Sequence, residues 1–277
     1  MKGITTNSSQ PTESNQIRNA SAVTGRCGTS SPSHDASCVP TEVIEPLSRD
    51  AVVPSRLPGS DRGSQGTGAC SMVVAAAVVF DLGDVLIDWN PEYLYRKVIP
   101  DADQRREFLT TICTPQWNRE MDEGRSVPEA VAALSDANPG YEPLVEAWWA
   151  RWPEMLGGEV PGTRTLVEAL ARTGLPLYAL TNWSAETWPL GVQQYPFLEE
   201  LFDGIVVSGQ ERIAKPDPQL FAILSDRFDL DPHTTAYVDD SSANIATASG
   251  LGYIAHLFTT ADRLHGWLTE IGLLDAR

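Results

Sequence analysis

Reactive polar side chains follow four apolar segments of the chain, at the point where each segment ends. In chain order they are Asp81, then Thr181 with Asn182, then Lys215, and finally the adjacent acids Asp239 and Asp240. The carboxyl ends of parallel strands share one edge of a sheet, and ligands collect there. The pattern therefore predicts a single crevice that contains carboxylates, a hydroxyl, an amide and an ammonium group.

These residue types indicate a site for a divalent cation and a phosphate. Two carboxylates and a backbone carbonyl, completed by waters, suit Mg²⁺, which prefers hard oxygen ligands. Paired acids without a histidine argue against zinc. A lysine and a Thr-Asn pair opposite the cation form a site for a compact oxyanion, most naturally phosphate. A carboxylate in line with phosphorus can act as a nucleophile, giving an aspartyl-phosphate that water then cleaves.

Lysine is rare in this chain, which makes Lys215 informative. Lys2, Lys97 and Lys215 are the only lysines among 20 basic residues. A lysine where the chain otherwise uses arginine suggests a need for a compact ammonium charge, although a solvated surface lysine is the alternative. For Lys97, which lies beside Arg96, a surface position is the preferred interpretation.

The apolar segments that precede these residues have the character of buried parallel strands. They are residues 73–80, 175–180, 204–207, 235–238 and 252–258. Each is short, β-branched or aromatic, and apolar on both faces, as expected for strands covered by helices on both sides. Amphipathic segments separate the later strands, so the pattern predicts an α/β fold with a Rossmann-like parallel sheet.

Residues 91–159 interrupt the alternation and are predicted to be helical, with no strand among them. The predicted helices lie around residues 93–98, 103–111, 127–134 and 141–152. We call residues 91–159 the cap. The expected organisation is a tail over residues 1–71, a core formed by 72–90 and 160–277, and this cap inserted after the first strand.

Composition limits the possible partners. The chain has 277 residues and a net charge of −17, which argues against binding nucleic acid or an anionic membrane. Residues 1–71 are rich in Ser, Thr, Pro and Gly and are expected to be disordered, and Met72 is a candidate start of the working protein. The cysteines form no CxxC pair, and the amino terminus lacks the pattern of a secretory signal, so a cytoplasmic location is expected.

The four motifs together resemble those of the haloacid dehalogenase-like (HAD) superfamily. They read FDLGDVL from Phe80, ALTNWS from Ala179, AKPDP from Ala214, and YVDDSSANIATASGLG from Tyr237. The first motif is similar to that of the DLGxV subgroup, which includes sugar-phosphate phosphatases and the phosphatase domain of some epoxide hydrolases. The resemblance implies a helical cap between the first two motifs.

The resemblance also implies residue roles. Asp81 would be the nucleophile and a ligand of Mg²⁺, with the Gly83 carbonyl and Asp240 as further ligands. Asp239 and Asn244 would support these ligands. Thr181, Asn182 and Lys215 would hold the phosphate.

Gly83 departs from the pattern of most HAD phosphatases. They carry at this position an aspartate that protonates the leaving alcohol, and its loss is expected to slow turnover about 10²- to 10⁴-fold unless another acid is recruited. Asp84 could be that acid, although a role in stabilising the turn is preferred. Because the aspartate is missing at position 83, two alternatives stay open: a metal-independent 2-haloacid dehalogenase and a catalytically idle binding protein. Asp239-Asp240 favours phosphate over halide chemistry, and a phosphonate-cleaving role would require Lys97 in the cap.

Substrate choice is expected to depend on the cap and on the second motif. Trp183 is a candidate for the pocket wall, whereas Trp148 and Trp152 are expected mainly to pack. A polar group of the substrate could contact Arg119, Asp122 or Arg125, although a solvated helix end is the preferred interpretation of this segment. The predicted protein is a monomeric or homodimeric phosphatase of small phosphate monoesters, with sugar phosphates as the leading class.

Overall fold

The computed structural model describes residues 75–276. Its strands are β1 (Ala77–Phe80), β2 (Ile87–Trp89), β3 (Leu156–Glu159), β4 (Leu177–Thr181), β5 (Gly204–Val207), β6 (Thr235–Asp239) and β7 (Ile254–Leu257). The tail predicted over residues 1–71 and the first residues of the predicted strand 73–80 lie outside the described residues.

Five strands form a parallel sheet in the order β5-β4-β1-β6-β7. The central strand β1 pairs with β4 on one side and β6 on the other, so that Val79 lies opposite both Tyr178 and Tyr237. All five strands of this sheet were predicted, and the parallel α/β fold is confirmed. The pairing places the ends of β1, β4 and β6, with their polar residues, side by side.

Both faces of the sheet are buried, which explains the apolar runs. Val78 and Phe80 of β1 pack into one hydrophobic cluster, while Val79 between them packs into the other. Successive side chains of a strand point to opposite faces, so a strand with helices on both sides must be apolar at every position.

Twelve helices accompany the strands in residues 75–276. They are α1 (Glu92–Val98), α2 (Ala102–Thr111), α3 (Pro115–Asp122), α4 (Val127–Ala137), α5 (Glu142–Ala150), α6 (Thr163–Arg172), α7 (Trp188–Gln194), α8 (Phe197–Glu200), α9 (Ser208–Glu211), α10 (Pro218–Phe228), α11 (Ser242–Gly250) and α12 (Ala261–Glu270). Short 3-10 turns cover Trp152–Met155 and Pro232–Thr234.

The cap contains α1 to α5 and also a strand, so the prediction that it has no strand was wrong. β3 pairs antiparallel with β2, with Trp89 opposite Leu156. Two glycines in β3, whose sequence is LGGE, conceal the strand because they carry no apolar side chain. The helix α3 was also absent from the predicted set. Thr114 begins it, and the Thr114 side chain accepts a hydrogen bond from the backbone N–H of Trp117.

No helix in the described part of the chain combines the length and the apolar character needed to cross a bilayer.

Candidate active site

Asp81 lies directly after β1 and faces a cavity at the carboxyl edge of the sheet. Its backbone N–H donates to the Val238 carbonyl at 2.8 Å, which continues the strand pairing, and its Oδ1 accepts from the Leu82 N–H at 2.7 Å. Only 7% of Asp81 is exposed. One carboxylate oxygen is therefore fixed by its own loop, and the side chain lines a cavity of about 170 Å³.

Lys215 is a buried ammonium group with three acceptors. Its Nζ lies 2.9 Å from Asp81 Oδ2, 2.7 Å from Asp239 Oδ2 and 2.7 Å from the Leu180 carbonyl oxygen. Burial opposes the charge, but the two carboxylates raise the pKa of Lys215 above its ordinary value. Lys215 therefore stays charged and holds Asp81 in place. Because it is 1% exposed, the alternative of a solvated surface lysine is discarded.

Asp239 is fully enclosed by donors. Its carboxylate accepts from Lys215, from the hydroxyl of Tyr237, from Asn244 Nδ2 at 2.9 and 3.0 Å, and from the Ser241 N–H at 2.8 Å. Burial opposes ionisation, yet these partners, with Lys215 foremost, hold the pKa of Asp239 below its ordinary value. The ionised form of Asp239 is therefore favoured, and its carboxylate fixes the ammonium group of Lys215.

Asn182 fastens the loop that carries the lysine. Its Oδ1 accepts from the Lys215 N–H at 2.8 Å, and its Nδ2 donates to the Lys215 carbonyl at 3.0 Å. The side-chain amide is thus engaged with the main chain of Lys215, while Asn182 also lines the cavity. The side chain of Asn182 therefore positions the lysine, and its predicted contact with phosphate stays a prediction.

Thr181, the last residue of β4, has an unsatisfied hydroxyl. Thr181 is fully buried, and its Oγ1 has no hydrogen-bond partner within residues 75–276. A buried polar group without a partner carries a free-energy cost, which a bound ligand, water or ion could remove. Thr181 therefore fits a bound oxyanion.

The acids at the site fit a divalent cation. Carboxylate oxygens of Asp81, Asp239 and Asp240 all lie within 4.8 Å of one another. Burial raises the pKa of Asp81, Lys215 lowers it, and repulsion by Asp239 and Asp240 raises it again. The net result is a pKa above the ordinary value of an aspartate. One ammonium group does not balance three carboxylates, and a cation would complete the balance.

The residues around the cation site differ in whether their oxygens are open to the cavity or already hydrogen-bonded. Asp81, Gly83 and Asp240 line the cavity. Asp239 is instead fully buried and already accepts hydrogen bonds on both oxygens. Mg²⁺ takes few protein ligands and keeps several waters. The oxygens open to the cavity, those of Asp81, Gly83 and Asp240, are therefore the suitable ligands.

Aromatic side chains form part of the wall of the cavity. Trp89, Trp148 and Trp152 come from the cap and its entry strand, and Trp183 follows the second motif. Trp183 packs between Trp152 and Trp188, at ring-centroid distances of 5.6 and 5.3 Å. Trp183 thus lies in the pocket wall as predicted, whereas Trp148 and Trp152, expected mainly to pack, also line the cavity.

Asp84 lines the cavity, but its carboxyl group is engaged in the turn after β1. It adopts a left-handed backbone conformation with φ of 54°, and its Oδ1 accepts from the Trp89 N–H at 3.2 Å. Burial raises the pKa of its carboxyl group, against the effect of that hydrogen bond. The geometry agrees with the turn-stabilising interpretation.

The charged residues of the cap divide into surface pairs and one cavity residue. Arg119 pairs with Glu123 at 2.7 Å, and Arg125 pairs with Glu120. Lys97 is half exposed and pairs with Glu154 at 2.7 Å, so it is not placed for the imine chemistry of a phosphonate-cleaving enzyme. Asp122 is the one charged residue of the segment 119–125 that lines the cavity. The sequence did not reveal this, because the direction of α3 relative to the sheet depends on how the cap docks.

Comparison with known proteins identifies the family. A family model described as haloacid dehalogenase-like hydrolase matches residues 75–252. The chain belongs to this family of hydrolases, which confirms the resemblance drawn from the four motifs.

Two of the relatives are named as phosphatases. A sesquiterpene phosphatase of Aspergillus oryzae is 26% identical over 180 residues, covering 64% of this chain and 87% of that protein. A phosphorylated carbohydrates phosphatase of Thermotoga maritima is 24% identical over 178 residues, covering 64% and 81%.

Solved structures share the fold. A HAD family enzyme of Bacteroides thetaiotaomicron, solved as a magnesium complex, has a TM-score of 0.56 at 20% identity and covers 68% of this chain and 94% of its own. A dehalogenase structure has a TM-score of 0.54 at 17% identity, with 69% and 96% covered. Structures this distant in sequence support the architecture alone, because one fold hosts many activities.

Proposed function

We propose that this protein is a Mg²⁺-dependent phosphatase that hydrolyses phosphate monoesters of small alcohols through an aspartyl-phosphate on Asp81. The observation that carries the proposal is the placement of Asp81, which faces the cavity while Lys215 holds it from behind at 2.9 Å. Phosphatase activity in two relatives adds support.

In the proposed reaction, a carboxylate oxygen of Asp81 attacks phosphorus and the bond to the alcohol oxygen breaks. Water then attacks the phosphorus of the aspartyl-phosphate, inorganic phosphate leaves, and the Asp81 carboxylate is restored. Lys215 keeps Asp81 oriented and favours its ionised form. The Thr181 hydroxyl is the donor that we assign to a phosphoryl oxygen, since it has no partner among the described residues.

Mg²⁺, held by Asp81, Asp240 and the Gly83 carbonyl, would neutralise phosphoryl charge and orient the phosphate. The role of Lys215 toward the phosphate is less direct than its role toward Asp81. All three donors of Nζ are engaged with Asp81, Asp239 and the Leu180 carbonyl. A contact between Lys215 and phosphate would require one of these to be exchanged.

Two substrate classes fit the cavity. Sugar phosphates are the first, since sugar faces stack on tryptophan and one relative is a phosphorylated carbohydrates phosphatase. Phosphates of apolar alcohols are the second. Ile87, Met121 and Val127 line the cavity together with the tryptophans, and another relative is a sesquiterpene phosphatase.

The test is hydrolysis of p-nitrophenyl phosphate by the full chain, with and without Mg²⁺. We expect Mg²⁺-dependent turnover that a chelator abolishes and that Asp81→Asn removes. Undiminished turnover by Asp81→Asn would refute the mechanism. Chloride release from 2-chloropropionate that resists chelation would favour the dehalogenase, and absence of both activities would favour an idle binding protein. A panel of hexose phosphates and isoprenoid monophosphates would then rank the two substrate classes.

A further inference from the structure

At position 83 the first-strand loop provides no side chain that could protonate the leaving alcohol. Gly83 has none, and a Cβ built there would meet nothing within 4 Å. Asp84 is held in the turn by the Trp89 N–H. The space beside Asp81 that an acid would occupy is therefore open to the cavity.

The cap provides a carboxyl group at this cavity, that of Asp122. It is the last residue of α3 and lines the same cavity as Asp81 and Asp240. Asn118 Nδ2, one helical turn earlier, donates to its carboxyl group at 3.0 Å. The backbone N–H of Ser184, in the loop after β4, lies close enough to lower its pKa. The carboxyl group therefore lies at the boundary between cap and core.

The surroundings of Asp122 favour a carboxyl group that exchanges its proton near neutral pH. Burial raises its pKa to about 7, with Arg119 opposing and Glu123 adding to the shift. Arg119 and Glu123 pair with each other, which limits the effect of either. A general acid works best when its pKa is near the working pH.

Three further carboxylates, those of Asp81, Asp84 and Asp240, share the cavity with Asp122. Glu186, in the loop next to Ser184, accepts from the Val127 N–H and the Ser126 hydroxyl, and so caps α4. Asp122 is therefore one of four acidic side chains that line the cavity.

We propose that Asp122 is the general acid and base that replaces the residue absent at Gly83. The inference rests on the proposed phosphatase function. As Asp81 attacks phosphorus and the P–O bond to the alcohol breaks, the leaving oxygen takes the proton of Asp122. In the second step the Asp122 carboxylate takes a proton from water as the water oxygen bonds to phosphorus. The Asp81–phosphorus bond then breaks, which restores both groups.

Leaving groups of different acidity test this assignment. p-Nitrophenolate leaves readily without a proton, whereas the alkoxide of benzyl alcohol does not, although the two esters are similar in size. For Asp122→Asn we expect kcat/KM to fall about 10²- to 10⁴-fold on benzyl phosphate and less than about fivefold on p-nitrophenyl phosphate. The substitution keeps the shape and the acceptor toward Ser184, so turnover of the aryl ester also reports that the variant is folded.

Two variants sharpen the result. Glu123→Gln changes the adjacent carboxylate, which pairs with Arg119, and should lower both activities by less than about threefold. Gly83→Asp places a carboxyl group in the open space beside Asp81, and in the Asp122→Asn background it should restore benzyl phosphate hydrolysis. The wild-type pH profile on benzyl phosphate should fall above about pH 7, and Asp122→Asn should lose this limb.

The possible outcomes separate the two proposals. Equal losses on both esters would assign Asp122 a structural role in docking the cap and overturn the inference, as would no loss on either. A leaving-group-dependent loss in Asp84→Asn instead of Asp122→Asn would also overturn it. Failure of the wild type to hydrolyse either ester would refute the phosphatase function itself.

Discussion

Replacing Lys215 by methionine removes a buried charge from between two others. The ammonium group contacts Asp81 Oδ2 at 2.9 Å and Asp239 Oδ2 at 2.7 Å, and its side chain is fully buried. Methionine fills much the same volume, so the change leaves little cavity. What remains is a pair of carboxylates with no counter-charge from the protein and a Leu180 carbonyl without its donor.

The expected cost follows from the burial of the pair. Removing one partner of a buried ion pair costs about 3–5 kcal/mol, because the other charge stays buried without compensation. For a folded unit of roughly 200 residues, that corresponds to a fall in Tm of roughly 6–20 °C. Lys97→Met is the matched control. Its half-exposed pair with Glu154 should contribute less than about 1 kcal/mol.

Urea unfolding at neutral pH, without divalent cations, measures both variants. Asp239→Asn in the Lys215→Met background should recover part of the loss, because it removes the buried carboxylate left without its partner. Coupling between contacting groups of about 0.5–3 kcal/mol is expected. If Lys215→Met costs no more than Lys97→Met, or if Asp239→Asn adds to the loss, the argument from uncompensated buried charge is wrong.

Three further substitutions probe other parts of the site and the core. Thr181→Val removes a hydroxyl that has no partner within residues 75–276, so stability should be unchanged or slightly higher while the inhibition constant for inorganic phosphate rises; a loss of stability above about 1 kcal/mol would show a hydrogen bond in the free protein. Gly191→Ala would bring a Cβ within 2.5 Å of the Trp183 ring. Displacement of the ring should cost about 1–3 kcal/mol and change tryptophan fluorescence, whereas an unaltered spectrum would contradict the packing. Asp217→Ala removes the acceptor for the Gln219 N–H at the start of α10 and should lower the free energy of unfolding by about 1 kcal/mol; no change would deny the cap.

The sheet could be predicted because its strands obey a simple rule. β1, β4 and β6 are buried on both faces, so each appears as a short apolar run with a polar residue at its end. β2 and β3 have three and four residues, and each lies partly exposed, so neither forms such a run. Local sequence patterns therefore identify the strands that are buried on both faces. They miss β2 and β3, which are short and form only because they pair with each other.

The helix α3 could have been found from its start signal. Thr114 followed by Pro115 is a helix-capping residue followed by proline at the first position, and the structure uses both. Its apolar residues Trp117 and Met121, four apart, are buried. The prediction of a solvated helix end at residues 119–125 did not use the start signal at Thr114 and Pro115 to place the helix.

The residue types of the site were predictable, but their division of labour was not. Asp239 and Asp240 are adjacent in sequence, yet one is enclosed by donors and the other is exposed at the cavity. Successive strand residues point in opposite directions, so the difference depends on which neighbours surround each side chain. The engagement of the Asn182 amide with Lys215 likewise depends on two loops meeting, and no spacing in the sequence encodes it.

The antiparallel pairing of β2 with β3 brings the two ends of the inserted segment together, with Trp89 opposite Leu156. Since the chain enters the cap through β2 and leaves it through the neighbouring β3, the length and shape of the cap impose little strain on the parallel sheet. Such an arrangement makes the insertion exchangeable: a different set of helices can be joined at the same two points. Specificity can then diverge among descendants of one ancestor while the catalytic edge of the sheet stays intact.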